Sequence, residues 1–228
     1  MCMQKIIVAI DGYAATGKSS QAKRLAKTLG YTYIDTGAMY RAITYFALQQ
    51  EPKGTLNLEL LVAALDTLQI NFKNTDLGQQ TFLNQKDISQ AIREPEVTSK
   101  VSEVARIPEV RAFLVEQQRA LGKKKGIVMD GRDIGTVVFP DAECKFFLTA
   151  TPEVRAKRRH LEQVSSGNQE SYEAVLSNIQ SRDLMDSSRA TAPLKKAADA
   201  IELDVSELTI DEVYELLWGY ILQKTTNP

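Results

Sequence analysis

The sequence predicts an α/β protein whose five-stranded parallel sheet carries helices on both faces. Two observations support this prediction. Short apolar runs alternate along the chain with segments whose apolar residues recur at helical spacing. The first run, residues 6–10, is continuously apolar and rich in β-branched side chains, which is typical of a strand buried on both faces. Such strands occur in parallel sheets that helices cover.

The composition indicates a globular protein with one core and an embellishment. The chain has 228 residues, of which 43% are hydrophobic and 25% charged, and its formal net charge is -1. This balance argues against a dedicated nucleic-acid or membrane-surface protein, whose domains usually carry a basic excess. Only Cys2 and Cys144 are present, so a structural disulfide is not expected. With no apolar run near the ~18 residues of a membrane span and no signal-peptide pattern at residues 1–4, we expect a cytoplasmic protein.

The first elements follow the alternation. After the first strand, a helix is predicted from Lys18, because apolar residues then recur at i, i+3, i+4 and i+7 and Gly30 stands where a C-cap is expected. A second strand is predicted at 31–34. A second helix has its apolar stripe within 39–47, and Glu51-Pro52 is predicted to end it.

Residues 57–102 have a different pattern. A short helical stripe leads into brief apolar pieces that Asn, Asp and Gly separate, as in β-hairpins. An antiparallel patch inside an alternating chain is most simply an insertion. Helical spacing returns at 97–105 and, after Pro108, at 110–121.

The last part of the chain returns to the strand and helix alternation. The further strands are predicted at 126–130, 144–148 and 200–203. One helix opens at Thr151-Pro152, with Thr as N-cap and Pro at the first helical position, and another covers 175–182. Residues 165–168 have the composition of a mobile loop.

The final helix is predicted from its start signal. Thr209 and Glu212 form a capping box, in which each side chain accepts from the backbone of the other residue. The expected core face comprises Val213, Leu216, Leu217, Tyr220 and Ile221.

The sharpest motif is a phosphate loop. Residues 12–19 fit the pattern G-x-x-x-x-G-K-[ST] directly between the first strand and the first helix, although a plain glycine-rich turn is the alternative. Lys18 can bridge outer phosphates, and the Ser19 hydroxyl can ligate Mg²⁺. We therefore expect a purine nucleoside triphosphate with Mg²⁺. The expected donor-binding residues are Gly12, Tyr13, Ala14, Ala15, Thr16, Gly17, Lys18, Ser19 and Ser20.

A second polar string follows a predicted strand. Residues 130–133 (DGRD) stand at the carboxyl edge of the sheet, where doubly wound proteins bind ligands. Asp130 could hold Mg²⁺ through water. The alternative is a turn with helix-capping carboxylates.

Arginines gather in the last part of the chain. Arg182, Asp186 and Arg189 are spaced four and three, which predicts one helical face, either as a site or as a solvated ion-pair ladder. Arg158 and its neighbouring arginines precede the loop at 165–168, an order that suits a lid over phosphates. The chain lacks the Asn-Lys-x-Asp string expected of a GTPase.

Together these strings resemble the bacterial cytidylate kinase family, essentially end to end. The strings that carry the resemblance are 12–20, 35–41 (DTGAMYR), 130–140 (DGRDIGTVVFP) and 182–194. The resemblance implies a P-loop kinase core at 1–34, 111–150 and 170–228. It also implies a monophosphate-binding arm at 35–110 with an antiparallel insert at about 63–102, and a short lid at 151–169.

The resemblance implies transfer of the γ-phosphoryl group of ATP to CMP or dCMP with Mg²⁺, by a monomer that binds only small nucleotides. The implied acceptor-binding residues are Asp35, Thr36, Tyr40, Arg41, Ser102, Arg111, Arg132, Asp133, Arg182, Asp186 and Arg189. The implied catalytic residues are Lys18, Arg132, Arg158 and Arg189, and Arg158 would also touch the donor phosphates. Ser19 and Asp130 would hold the metal, Asp130 through water.

Two other readings stay open. A different acceptor, such as UMP, AMP or shikimate, would use the same phosphate loop. Arg111 and Asp133 discriminate here, because a donor and an acceptor suit the edge of cytosine. The chain could instead be a nucleotide-binding regulator without turnover, but such a module would not need the complete arginine set.

Overall fold

A computed structural model of the chain describes residues 5–50, 56–75, 78–165, 167 and 169–226. Two compact units divide it: Met1–Ile34 with Leu121–Pro228 form the first unit, and Asp35–Ala120 form the second. No helix in the described residues is both long enough and apolar enough to cross a membrane.

The order of elements along the chain follows the predicted alternation. The strands are β1 (Ile7–Gly12), β2 (Thr32–Asp35), β3 (Ile70–Thr75), β4 (Gly78–Leu83), β5 (Lys86–Asp87), β6 (Ile127–Gly131), β7 (Cys144–Thr149) and β8 (Ile201–Asp204). The helices are α1 (Lys18–Leu29), α2 (Thr36–Gln50), α3 (Leu58–Ala64), α4 (Pro95–Val104), α5 (Pro108–Gly122), α6 (Pro152–Ser165), α7 (Tyr172–Ser188) and α8 (Ile210–Thr226). Short 3₁₀ turns lie at Leu65–Thr67 and Ala91–Arg93, and a π-helical turn lies at Ile134–Val138.

The main sheet has five strands in the order β2-β6-β1-β7-β8, which confirms the predicted five-stranded sheet. β1 pairs in parallel with both neighbours: Val8 lies opposite Val128 of β6 and opposite Cys144 of β7. All residues of β1 are buried, as the continuous apolar run predicted. Because β1 is central, its carboxyl end opens between two other strand ends, the place where ligands bind in such sheets.

Helix α1 begins and ends as predicted. Its apolar residues Ala22, Leu25 and Ala26 are buried against the sheet. Gly30 adopts a left-handed conformation, with φ 65°, and its backbone N–H donates to carbonyls of the last turn. A second, smaller cluster joins α6 to α7 through Ala156, Val175 and Ile179.

Helix α8 confirms its start signal but not its whole predicted core face. The backbone N–H of Thr209 donates to the Glu212 carboxylate at 2.8 Å, and the N–H of Glu212 donates to the Thr209 hydroxyl at 3.2 Å, which completes the capping box. Leu216 is 42% exposed and Tyr220 is 36% exposed, so placing them in the core was wrong. The buried apolar residues of this helix are Val213, Tyr214, Leu217 and Ile221.

The second unit contains the predicted antiparallel patch. β3, β4 and β5 form a three-stranded sheet in which Ile70 lies opposite Leu83 and Phe82 lies opposite Asp87. Helix α2 begins at Thr36, directly after β2. The predicted stop signal Glu51-Pro52 lies outside the described residues, as do residues 166 and 168 of the predicted loop.

Candidate active site

The phosphate loop leaves the central strand where two strands approach closely. A Cβ at Gly12, whose φ is 142°, would lie 2.1 Å from the Leu148 carbonyl oxygen of β7. Ala15 adopts a left-handed conformation with φ 59°, which costs about 1 kcal/mol for a residue with a side chain. The Thr16 hydroxyl donates to the Tyr13 carbonyl at 3.0 Å and closes the loop on itself. These contacts within the loop determine its shape.

Lys18 lies inside this loop rather than in solvent. It is 5% exposed, and its Nζ donates to the Tyr13 carbonyl at 2.5 Å. Burial, and next the positive charge of Arg132, lower the pKa of Lys18 from 10.5 to about 7. Asp130 and other carboxylates oppose this shift. A polyphosphate placed here would stabilise the ammonium form.

Oxygen atoms at the start of α1 and the end of β6 form a candidate Mg²⁺ site. The Ser19 hydroxyl donates to Asp130 Oδ2 at 2.8 Å, and the Tyr33 hydroxyl donates to Asp130 Oδ1 at 2.8 Å. Hydroxyl and carboxylate oxygens are the ligands that Mg²⁺ takes from proteins, usually with several waters and substrate phosphates. These residues therefore fit the metal. Ser20, the next residue of α1, is exposed.

In the first unit, ion pairs connect the polar string at 130–133 with the charged segment at 182–189. Arg132 Nε donates to Asp186 at 2.9 Å, and an Arg189 nitrogen lies 3.5 Å from Asp133. Each string therefore supplies one acid and one arginine to the other. The side chains of Asp133 and Arg189 are 6% and 4% exposed, so their charges stand in a weakly screened environment. A solvated ion-pair ladder does not describe this arrangement.

Of the three charged residues predicted to share one helical face, Arg182 and Asp186 lie in α7, and Arg189 lies in the loop that follows. α7 ends at Ser188, so Arg189 lies just beyond the helix and not on its face. Its Nε donates to the Ala192 carbonyl at 2.5 Å, and Ala192 holds a left-handed φ of 50°. Strain of this kind costs about 1–3 kcal/mol and collects at functional sites. Arg182 lies within α7 and is half-buried.

Arg155 of α6 joins the phosphate loop to two helices. It is 2% exposed, and it donates to the Ala150 carbonyl at 2.8 Å and to Asp183 of α7 at 2.6 Å. A third contact, at 3.4 Å, reaches the carbonyl of Ala14. Its guanidinium carbon lies 5.0 Å from the centroid of the Tyr13 ring. Arg155 therefore stabilises the phosphate loop through contacts with Tyr13 and Ala14.

Replacing Arg155 with Met is expected to lower the free energy of unfolding by about 2 to 4 kcal/mol, because the half-buried Asp183 carboxylate loses its partner and the Ala150 carbonyl loses a buried donor. Urea unfolding measures the change. Arg159→Met is the matched control on the same helix: Arg159 is 37% exposed and pairs with Glu162 at only 3.7 Å. Arg159→Met should lower the free energy of unfolding by less than about 0.5 kcal/mol. Equal losses in the two variants would contradict the bracing role.

Arg158, expected to touch donor phosphates, contacts backbone carbonyls. One of its terminal nitrogens lies 2.7 Å from the Val205 oxygen and 3.4 Å from the oxygens of Ser206 and Leu208. These carbonyls belong to the segment between β8 and α8. The guanidinium is half-buried at this position.

Asp11, near the end of β1, is a buried carboxylate outside the predicted site residues. It is 4% exposed and accepts from the amides of Ile134 and Gly135 at 2.8 and 2.7 Å. Burial raises the pKa of Asp11 to about 7, although these two amides act to lower it. A signal was present, because an acid directly follows the apolar run at 6–10.

In the second unit, the start of α2 carries one group of predicted acceptor-binding residues. Asp35 accepts from the Ala38 amide at 2.8 Å, in the manner of an N-cap, and pairs with Arg41 at 3.2 Å. Thr36, the first residue of α2, is 3% exposed. The carboxylate thereby fixes both the helix start and the arginine.

A second group in this unit is built around Arg111 of α5. This arginine is 3% exposed, donates to the Ala105 carbonyl at 3.3 Å, and lies 5.6 Å from the centroid of the Tyr40 ring. Ser102 of α4 is also buried. A buried guanidinium with an aromatic neighbour is suited to recognise a planar polar ligand.

Comparisons with known proteins agree with this geometry. The family described as cytidylate kinase matches residues 8–223. The cytidylate kinase of Flavobacterium psychrophilum is 50% identical over 219 residues, which cover 94% of this chain and 97% of that protein. The cytidylate kinase of Flavobacterium johnsoniae is 52% identical over 216 residues, covering 93% and 94%.

Among solved structures, the crystal structure of an uncharacterized protein from Eubacterium ventriosum has a TM-score of 0.51 with 14% identity and covers 96% of this chain and 99% of its own. That likeness concerns the fold alone. The match to the family spans the phosphate loop, the string at 130–140 and the paired arginines of the first unit. On this agreement of sequence and geometry, the chain belongs to the cytidylate kinase family.

Proposed function

We propose that this protein transfers the γ-phosphoryl group of ATP to CMP or dCMP, giving CDP or dCDP and ADP. One contact supports the proposal beyond family membership: Ser19, the residue after Lys18, donates to Asp130, two residues before Arg132, at 2.8 Å. The segments that carry a lysine expected at the donor phosphates and an arginine expected at the acceptor phosphate therefore contact each other. Two such cations suit a pair of phosphorylated ligands whose charges converge.

The chemistry requires little covalent help from the protein. An oxygen of the acceptor phosphate attacks the γ-phosphorus, the bond from that phosphorus to the β,γ-bridging oxygen breaks, and ADP leaves. Since the acceptor phosphate is already an anion, no general base is needed. Lys18, Arg132 and Arg189 spread the charge of the transition state, and Arg158 is assigned to the donor phosphates.

Ser19 and Asp130 would hold Mg²⁺, Asp130 through a water molecule. The bound ion supplies charge neutralisation at the transferring phosphates. Tyr33 holds the Asp130 carboxylate by its 2.8 Å hydrogen bond, so the side chain keeps one orientation. The remainder of the phosphate loop binds the donor through its backbone amides.

The acceptor residues divide between the two units. From the first unit we assign Arg132, Asp133, Arg182, Asp186 and Arg189 to the acceptor. From the second unit we assign Asp35, Thr36, Tyr40, Arg41, Ser102 and Arg111. Arg111 and Asp133 are assigned to the cytosine edge, since one donates and the other accepts.

We assign functions to the larger parts of the chain from its resemblance to the cytidylate kinase family. We assign monophosphate binding to residues 35–110, with an insert at about 63–102, and a lid function to residues 151–169. The rest of the chain (1–34, 111–150 and 170–228) would be the core. We further propose a cytoplasmic monomer whose ligands are nucleotides and not nucleic acids.

The test of the function is ADP formation with ATP and Mg²⁺ against CMP, dCMP, UMP, AMP and shikimate. Activity confined to CMP and dCMP is the expected result. Equal activity with UMP would keep the kinase but reject the cytosine assignments of Arg111 and Asp133. Tight ATP binding with no ADP from any acceptor would instead favour a regulator without turnover.

Arg111→Ala is expected to reduce the preference for CMP over UMP by about 1 to 3 kcal/mol, because a bidentate contact to the base is lost. The measurement is the ratio of kcat/KM for the two acceptors. Arg106→Ala is the matched control, since Arg106 is exposed in the link between α4 and α5. A ratio unchanged in Arg111→Ala, or changed equally in the control, would reject the assignment.

A further inference from the structure

One buried carboxylate connects the end of β1 with the segment that follows β6. Asp11 is the residue directly before Gly12, where the phosphate loop begins. Its two oxygens accept from consecutive amides, Oδ1 from Ile134 and Oδ2 from Gly135, at 2.8 and 2.7 Å. Those amides belong to the first residues of the π-helical turn Ile134–Val138. Both hydrogen bonds are charge-assisted when the carboxylate is ionised.

Lys145 of β7 also packs against this turn. A Cβ at Gly135 would lie 3.2 Å from the Lys145 side chain and 3.4 Å from Asp11 Oδ2, so the turn backbone fits closely against both. Lys145 itself binds the Pro140 carbonyl beyond the turn and pairs with Asp199 at 2.7 Å. Asp11 and Lys145 therefore both limit where the turn backbone can lie.

The residues directly before this turn are Arg132 and Asp133, which make the ion pairs to Asp186 and Arg189. A shift of the Ile134 amide displaces Asp133 at once, because the two residues share a peptide bond. The arginine one residue earlier moves with it. Asp11 makes neither ion pair itself, so its influence passes through the backbone.

We propose that Asp11 is a positioning residue for the acceptor: it holds the backbone that aims Arg132 and Asp133, and thereby sets acceptor affinity. The inference rests on the proposed function, since it needs an acceptor phosphate bound by those residues. It assigns Asp11 a role in acceptor binding that is separable from the folding of β1 and from donor binding.

The test compares Asp11→Asn with the wild type at pH 8, where the carboxylate of the wild type is ionised. The amide has one acceptor oxygen instead of two, and its NH₂ group would face a backbone N–H. We expect the KM for CMP to rise about 10-fold, the loss of one hydrogen bond to a charged group, while the KM for ATP changes less than about threefold. The kcat should fall as well, because Arg132 also stabilises the transition state.

Glu143→Gln is a chemically matched control. Glu143 accepts from the Ile7 amide at 2.9 Å, so the same carboxylate-to-amide change is made at the opposite end of β1. Both KM values should stay at wild-type levels in this variant. If the control raises the KM for CMP as much as Asp11→Asn does, the effect is one of strand stability and the proposal is wrong.

Gly135→Ala probes the same contact with Asp11 intact and serves if Asp11→Asn does not fold. Its new methyl group presses on Lys145 and Asp11, and it should raise the KM for CMP selectively. Hydrogen exchange over residues 131–139 should also quicken in either variant. Unchanged KM for CMP, or equal rises for both substrates, would overturn the inference, whereas a wild type inactive on CMP would instead refute the proposed function.

Discussion

Lys18→Met is expected to lower kcat on the order of 10³-fold with every acceptor, because it removes a buried ammonium group that we assign to the donor phosphates. The apolar stem of Met fills the same space, so the loop should keep its shape. The measurement is initial-rate ADP formation at saturating ATP and CMP. Lys27→Met is the matched control, since Lys27 is exposed in the last turn of the same helix and should leave the rate unchanged.

The free energy of unfolding shows whether Lys18→Met loses activity through catalysis or through misfolding. The pKa of Lys18 is about 7 in the folded protein and 10.5 in the unfolded chain. Between these values the unfolded chain binds more protons, so this group makes the wild type more stable as pH rises from 7 to 10.5. Lys18→Met should lack that gain, and at pH 7 it should be at least as stable as the wild type. A variant that unfolds readily at pH 7 would contradict this account.

Asp130→Asn is expected to lower activity on the order of 10²-fold at limiting Mg²⁺. The neutral amide can still accept from Tyr33, but it no longer attracts the cation. The readout is the Mg²⁺ concentration that gives half-maximal activity, which should rise while the affinity for metal-free ATP stays unchanged.

Asp141→Asn supplies the control for Asp130, because Asp141 is an exposed carboxylate ten residues along from β6. Its Mg²⁺ response should match the wild type. If Asp130→Asn keeps the wild-type Mg²⁺ requirement and full activity, Asp130 takes no part in holding the metal. High Mg²⁺ restoring most of the rate would support the role.

The sheet and the phosphate loop were predictable because local patterns determine them. The apolar run at 6–10, the stripe of α1 and the capping box at Thr209 each depend on neighbours within a few residues. The π-helical turn at Ile134–Val138 has no such pattern. Its first two amides donate hydrogen bonds to Asp11, which lies more than a hundred residues away in the sequence. Distant partners of this kind leave no periodic trace in a single sequence.

The arginines show the same limit. Spacing placed Arg182, Asp186 and Arg189 together, and the structure adds that Arg189 lies past the helix end. It also shows that Asp186 pairs with Arg132 from another part of the chain. The bracing role of Arg155 depends on Asp183 of a different helix, and no interval along the sequence identifies that partner. Residue type suggested which side chains mattered, and tertiary packing decided which ones meet.

Gly12 places a limit on how this protein can evolve. Every amino acid other than glycine would put a Cβ 2.1 Å from the Leu148 carbonyl oxygen. The backbone fixes the positions of both atoms, so no side-chain rotation relieves the overlap. Even alanine is therefore as forbidden as a large residue. No single substitution of Gly12 is therefore tolerated. A homologue could carry another residue here only if β1 and β7 lay further apart at this point.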